Sequence, residues 1–518
     1  MSWKHLFARK RLEVLLEEMA GEHRLRRVLG PVALSSLGIG AIIGTGIFVL
    51  VGKAAAQQAG PAMMLSFLVA GITCIFAALC YSEFASMAPV AGSAYTYSYA
   101  TMGELFAWIV GWDLILEYAV ASSAVAHGWS HYAQDFLRLI TNGHVVWPKN
   151  WGNAPLMFDP KTAQFTLSGN FIDLPAMLIA LLITVVLVVG IRESAGFNAL
   201  MVILKLSIVL FVIVVGAFYV NPANWTNNFA PYGYGGIHIP WITDTSSGVQ
   251  PVGMLAGAAT IFFAFIGFDS ISTHSEEAKN PQRDVPIGIL ASLVICTVLY
   301  VAMAAVLTGM VPYDQIRIDA PVSSAFAERG ITFAAILISA GAMAGITSVL
   351  LVMMLSQPRV LLAMARDGLL PPGFFGAVHE RLRTPWKSTI LTGVIVSLAA
   401  GLLPLDVLAD MVNIGTLMAF FMVCGAVLIM RKTHPLAERP FRAPLVPFVP
   451  LAGMATCLLL MLALGPANWL RLAIWLGIGM VIYFCYGRRH SILGKELRGE
   501  ISTHGISPAG MPVDGPKE

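Results

Sequence analysis

Lys205 is the residue whose position most demands a chemical reason. It stands inside NALMVILKLSIVLFVIVVG with apolar neighbours on both sides. A lysine near the centre of a membrane helix costs roughly 2.5 to 3.5 kcal/mol on insertion scales, so it faces a cavity or a partner, or it snorkels to the interface. Unlike an arginine, a lysine can hand on its proton, which makes Lys205 a candidate proton carrier. A second kind of chemistry resides in the backbone. The runs Gly38-Ile39-Gly40-Ala41-Ile42-Ile43-Gly44-Thr45-Gly46 and Phe263-Ala264-Phe265-Ile266-Gly267-Phe268 put glycines into otherwise apolar stretches. Glycine there either lets helices pack closely or interrupts the helix. An interrupted membrane helix leaves peptide groups that must be buried in protein or face a water-filled cavity. On that reading the N–H groups of Gly44, Thr45 and Gly46 open a second half-helix, where the helix dipole favours a carboxylate. Carbonyls left free at Ile42, Phe263 and Ile266 then suit an ammonium group, and an α-amino acid carries both.

The acids in apolar stretches come next. Asp113 and Glu117 lie one turn apart and share a helix face. Glu117 is the deeper, and two roles are open to it: proton relay, or pairing with hydroxyls that holds helices together. Asp269, Glu276 and Glu277 lie toward the end of the sixth apolar run, followed by Lys279, Arg283 and Asp284, and Glu83 closes the second in a similar place. A gate or salt-bridge network at an inner mouth is the expected role for Glu83, Asp269, Glu276 and Glu277. His127 and His274 are read as structural, without a partner at metal-ligand spacing, and no metal site is expected.

These groups need elements to hold them. With 57% apolar and 12% charged residues, the chain of 518 residues has too little polar surface to cover a soluble globule. A spanning helix needs roughly 20 apolar residues. Twelve such stretches are expected, over 32–53, 60–88, 103–137, 171–191, 196–220, 249–274, 285–311, 331–357, 387–404, 408–430, 445–465 and 467–487. The six cysteines all fall within them and none forms a CxxC pair, which argues against a disulfide framework or a zinc site. Of the 32 Lys and Arg residues, 24 fall on one side of this topology and 7 on the other, with Lys205 within a span. The positive-inside rule then puts both termini in the cytoplasm of a multi-pass inner-membrane protein. Residues 3–20 mix charges with Trp3, Phe7, Leu12, Leu15 and Leu16, as an amphipathic surface helix or a solvated tail would. The expected organisation is a cytoplasmic segment at 1–30, a first repeat at 31–220, a second at 249–431, two further spans at 444–487 and a polar, disordered tail from 488 to 518. Two interrupted helices five spans apart run in opposite directions, as in two five-helix repeats related by an axis in the membrane plane.

The runs GIGAIIGTGIF (38–48), FFAFIGFDS (262–270) and EEAKNPQRDVPIGI (276–289) closely resemble the amino acid-polyamine-organocation transporters. Further matches at 91–126, RVLLAMARDGLLPP (359–372) and NIGTLMAF (413–420) resemble the cationic amino acid transporter family and its bacterial relatives. The resemblance covers roughly residues 25–490. It implies an all-α membrane protein with twelve transmembrane helices in the LeuT-like 5+5 inverted repeat, with discontinuous helices 1 and 6 and with helices 11 and 12 outside the repeat. By the same resemblance Thr45 and Gly46 take the substrate carboxylate. Ile42, Phe263 and Ile266 offer carbonyls to the amino group, beside Ile43, Gly44 and Ala264, and Phe263 closes over the substrate. Sodium-coupled members hold their cation between the first and eighth spans by carbonyls and by hydroxyls at the place where this chain has Thr347 and Ser348. A Lys205 ammonium reaching the same carbonyls would stand in for sodium, which implies proton symport.

The side-chain pocket is expected near Ser122, Ala126, Gly345 and Ile346, whose small or apolar character favours neutral aliphatic amino acids over arginine or lysine. Alternating access would be driven by the proton gradient, with no cofactor. The expected partners are the amino-acid substrate, protons and membrane lipid, not nucleic acid; oligomeric state is left open. The chain carries no nucleotide loop and no nucleophile with an evident base, so an enzyme is not expected. An amino-acid sensor, or a sodium-coupled or uncoupled permease, are the rival readings.

Overall fold

The structure, a computed structural model, describes residues 7–10, 29–87, 93–159, 164–190, 195–237, 251–382 and 384–500. The expected surface helix at 3–20 falls almost wholly outside these residues. The principal helices are α1 (Pro31–Ile42), α2 (Met63–Met87), α3 (Glu104–Ile140), α4 (Leu174–Val189), α5 (Ala195–Ala217), α6 (Met254–Ile261), α7 (Pro281–Met310), α8 (Thr332–Arg366), α9 (Trp386–Leu402), α10 (Leu405–Thr433), α11 (Phe448–Ala463) and α12 (Pro466–Ile482). Among the described residues, eight helical segments are by length and composition apolar enough to cross a membrane, and four shorter apolar helices of 10–17 residues accompany them. The protein is therefore an all-α, multi-span membrane protein. The β structure among the described residues includes a hairpin, Leu156–Asp159 against Gln164–Leu167, in the long connection after α3.

Sequence sets the helix ends. Pro31 lies in the first turn of α1, where a missing N–H is harmless. The Asp173 carboxylate caps α4 by accepting from Ala176 N–H at 3.2 Å. Large apolar side chains remain exposed along α4, α5 and α7, including Leu182, Val185, Ile203, Val214 and Val298. An apolar exterior around a packed interior is what lipid requires of such helices.

Both expected interruptions are present. The first helix stops at Ile42, Ile43 turns to extended backbone (φ −73°, ψ 104°), and helical geometry resumes at Gly46–Leu50 and continues through Ala59. α6 tightens into a 3₁₀ turn at Phe262–Phe265 and ends in an extended Ile266 (φ −62°, ψ 138°). Gly267 follows at φ +113°, a conformation L side chains rarely adopt, and a Cβ there would also stand 2.9 Å from the Ala41 carbonyl. The two breaks touch, because a Cβ on Gly46 would overlap the backbone of Ala264.

Most contacts among the first ten helices follow an exchange rule. α3 packs on α10 as α8 does on α5, α1 on α7 as α6 on α2, α3 on α9 as α8 on α4, and α5 on α7 as α10 on α2, while α2·α7, α3·α8 and α4·α9 map onto themselves. Adding or subtracting five from each label reproduces the set. α11 packs on α10 and α2, and α12 on α10 and α3. At the end of the bundle remote from the hairpin, Leu29 forms a parallel bridge with the segment after the second break: Leu29 N–H donates to Glu277 O at 3.0 Å and Lys279 N–H to Leu29 O at 2.8 Å.

The expected disorder from residue 488 is corrected in part. Helix continues to His490, and Ile492–Leu497 forms a further helix capped by Ser491, whose hydroxyl also donates to Glu104. Residues 501–518 lie outside the described residues.

Candidate functional site

A small cavity, with space for about 10 Å³ of water-sized occupancy, lies between the two breaks. The first break lines it with Ala41, Ile42, Gly44, Thr45 and Gly46, α3 with Ala121 and Val125, the second break with Phe263 and Ile266, and α8 with Val349 and Met353. Six expected residues, Ile42, Gly44, Thr45, Gly46, Phe263 and Ile266, are thus brought together. Among the described residues, the N–H groups of Gly44, Thr45 and Gly46 meet no backbone acceptor, and the buried Thr45 hydroxyl has no protein partner. An anionic group at this wall would satisfy donors that the fold leaves open.

The carbonyl side differs from expectation. The Tyr300 hydroxyl of α7 lies 3.0 Å from both the Ile42 and the Ala264 carbonyls, and Phe263 O accepts from Ile266 N–H at 3.3 Å. Ile42 and Phe263 thus each already accept one hydrogen bond and keep a second lone pair. Ile266 O receives no hydrogen bond among the described residues, and neither does Ile43 O. Ile43 and Ala264 are buried but do not line the cavity.

The side-chain wall is also corrected. Ser122, Ala126 and Ile346 are buried away from the cavity, with the Ser122 hydroxyl donating to Tyr118 O at 2.7 Å. Ala121 and Val125 replace Ser122 and Ala126 through a one-residue rotation of α3, and Val349 and Met353 continue the α8 stripe of Ile346. Gly345 packs on the Lys205 stem: a Cβ there would stand 3.2 Å from the lysine Cγ.

Lys205 is fully buried, and its ammonium donates to the Gly40 carbonyl just before the first break. Among the described residues no carboxylate pairs with it. Thr347 turns its hydroxyl back to Met343 O at 2.7 Å, and neither it nor Ser348 bonds the ammonium.

Glu117 stands one turn from Ala121 on the cavity face of α3, beside Asp269 and Thr416. Asp269 accepts from the Tyr118 hydroxyl at 2.6 Å. Asp113, Glu117 and Asp269 are buried, and each keeps at least one carboxyl oxygen without a partner. Glu83 is not part of that group. It takes Arg431 bidentately at 3.0 and 2.6 Å, Arg439 at 3.3 Å and the Ala443 N–H at 2.8 Å, and so ties α2 to the connection beyond α10. Glu277 holds Leu29 through its backbone, and the Glu276 side chain lies outside the described residues.

Three groups escaped sequence reasoning. Tyr300 gave the signal of a lone hydroxyl in an apolar run. Asn413, whose amide donates to the Ala259 and Thr260 carbonyls at 3.0 Å each, lay within a motif already singled out. His131 follows His127 by four residues, so the reading that His127 lacks a partner at ligand spacing is corrected: their rings are 4.6 Å apart, and with Asp173 they form a cluster able to hold a metal ion.

A family model described as amino acid permease matches residues 29–485. The chain is 46% identical over 491 residues to the branched-chain amino acid permease BcaP of Bacillus subtilis, covering 95% of this chain and 99% of that one. It is 44% identical over 490 residues to the methylthioribose transporter of the same organism, with the same coverage. It is 38% identical over 431 residues to the vacuolar cationic amino acid transporter 4 of Arabidopsis thaliana, covering 83% of this chain and 68% of that protein. With this match over nearly the whole bundle, and with two interrupted helices meeting at a small cavity, the chain belongs to the amino acid permease family.

Proposed function

We propose that this permease is a proton-coupled symporter of neutral aliphatic α-amino acids that works by alternating access. The observation that carries the reading is the cavity itself. Unpaired N–H groups and the Thr45 hydroxyl stand on one wall, the Ile266 carbonyl on another, and Ala121, Val125, Val349, Met353 and Phe263 leave only apolar surface for a side chain. No acid lines it to draw a cationic side chain. Lys205, bonded to the Gly40 carbonyl, is the proton carrier in this reading, with Glu117 as a relay. The paired helix contacts support a 5+5 repeat with α11 and α12 outside it, and the 24-to-7 asymmetry of basic residues supports twelve crossings with both termini in the cytoplasm.

The test is uptake of labelled alanine, leucine, isoleucine, valine, arginine and methylthioribose into liposomes holding the purified protein, under a proton gradient, a sodium gradient or neither. Accumulation of an aliphatic amino acid with protons alone is expected. A requirement for sodium would remove Lys205 from the coupling. The relative that carries methylthioribose motivates that arm, and preference for it would replace the amino-acid reading.

A further inference from the structure

We propose that His127, His131 and Asp173 form a binding site for a divalent transition cation of the zinc class at the hairpin end of the bundle. Each offers one ligand atom, and these atoms lie within 4.8 Å of one another. The two histidines sit on one face of α3, and Asp173 opens α4. His127 Nδ1 lies 2.8 Å from Asp173 Oδ2.

The surroundings aim these atoms at one point. Asp173 Oδ1 is engaged by the Ser130 hydroxyl at 2.6 Å and by Ala176 N–H at 3.2 Å, which leaves Oδ2 for the cluster. His131 Nε2 lies 3.2 Å from the Asn153 side-chain oxygen, a pure acceptor. In the neutral ring Nε2 then carries the proton, and Nδ1 turns its lone pair inward. That lone pair faces another acceptor, the Asp319 carboxylate, at 3.6 Å. His127 likewise has the Ala400 carbonyl as well as Asp173 as acceptors around its ring. These acceptors need positive charge among them, which either a proton on each ring or one shared divalent cation supplies, and the convergence of three ligand atoms on one point favours the shared cation.

Zinc is bound at about 2.0 to 2.2 Å by imidazole and carboxylate, so its ligand atoms stand roughly 3 to 3.5 Å apart, an adjustment of about 1 Å or less per atom here. Two imidazoles and a carboxylate suit a borderline transition ion better than calcium or magnesium, which prefer all-oxygen shells. The second-neighbour bonds from Ser130 and Asn153 are the orienting kind found around metal-bound carboxylates and histidines. Asp319, largely exposed and outside the three-atom cluster, marks an entry route, and a shift of its carboxylate toward the cluster would add a fourth ligand.

The site has a mechanical consequence. Asp319 belongs to the connection between α7 and α8, whose short helix Pro321–Glu328 packs on the second half of the first interrupted helix. An ion shared by α3, α4 and Asp319 fixes that connection to the bundle and slows any motion that needs it to lift.

The test uses tag-free, chelator-stripped protein, titrated with zinc against a chromogenic chelator and with cobalt followed by its d–d absorption. One zinc per chain and a tetrahedral cobalt spectrum are expected. His131→Ala should lose both, with an unchanged gel-filtration profile excluding misfolding. Asn153→Ala, which keeps every ligand, should weaken zinc about 10- to 100-fold. No zinc in the wild type, or equal zinc in wild type and His131→Ala, overturns the site. Zinc added on the hairpin side should slow uptake by the wild type and not by His131→Ala; equal inhibition of both overturns the mechanical coupling. The zinc titration needs no transport substrate, so its result is independent of the proposed function.

Discussion

Replacing Thr45 by valine is the cleanest perturbation of the substrate site. The substitution exchanges a hydroxyl for a methyl and keeps the branched shape, including the methyl that Gly128 faces, where any Cβ would collide with it. Among the described residues no protein group loses a bond, because the Thr45 hydroxyl has no partner there. Fold stability should therefore not fall, and the melting temperature with no amino acid added should hold or rise slightly. Substrate affinity should behave differently. A hydrogen bond to a charged group contributes about 1.5 to 3 kcal/mol, and 1.4 kcal/mol is tenfold in affinity. Loss of the hydroxyl's bond to a carboxylate then weakens binding about 10- to 150-fold. Scintillation-proximity binding of the best substrate gives the affinity, and a thermal melt gives the stability. Unchanged affinity in a normally folded variant would refute the placement of the carboxylate at Thr45. Equal loss of affinity for a decarboxylated analogue would refute it too, since the missing bond should matter only to ligands that carry the carboxylate.

Lys205→Ala should retain substrate binding and lose uphill accumulation; a proton dependence of uptake equal to wild type would exclude this lysine from coupling. Tyr300→Phe removes the hydroxyl shared by the Ile42 and Ala264 carbonyls, and should lower unfolding stability by about 1 to 3 kcal/mol, read as an earlier thermal transition. Glu83→Gln leaves Arg431 and Arg439 facing a neutral amide. A loss of up to about 3 to 5 kcal/mol is the range for breaking a buried pair, with the low end expected because Arg431 is about a quarter exposed. A normal melting temperature in that variant would show that the network contributes little.

How much of this was legible in the sequence differs by kind of information. The interruptions at Gly44 and Gly267 were legible because glycine in an apolar run marks backbone that departs from a helix. The wall was not. A helix turns about 100° per residue, so an error of one position moves the inferred lining from Ala121 and Val125 to Ser122 and Ala126. Carbonyl availability was also hidden, since the donor that engages Ile42 is a tyrosine 258 residues away. For Glu83, a gate and a salt-bridge network were both open for a similar reason: its partner Arg431 lies 348 residues on, and only packing reveals a lock between α2 and α10. The spacing of His127 and His131 was, by contrast, in plain view.

The parallel bridge at Leu29 carries a last consequence. It fastens the start of the first interrupted helix to the chain that leaves the second, through two backbone hydrogen bonds. Were the two half-helices separate levers, a fluctuation of either would open a crevice at that end of the bundle. Yoked, they share one degree of freedom. Swinging one alone must first break bonds worth about 1 kcal/mol each, on top of separating the packed surfaces. The yoke therefore thins the population of half-open states, and under the proposed symport, where ions would slip through such states without cargo, it would bear on the tightness of coupling rather than on affinity.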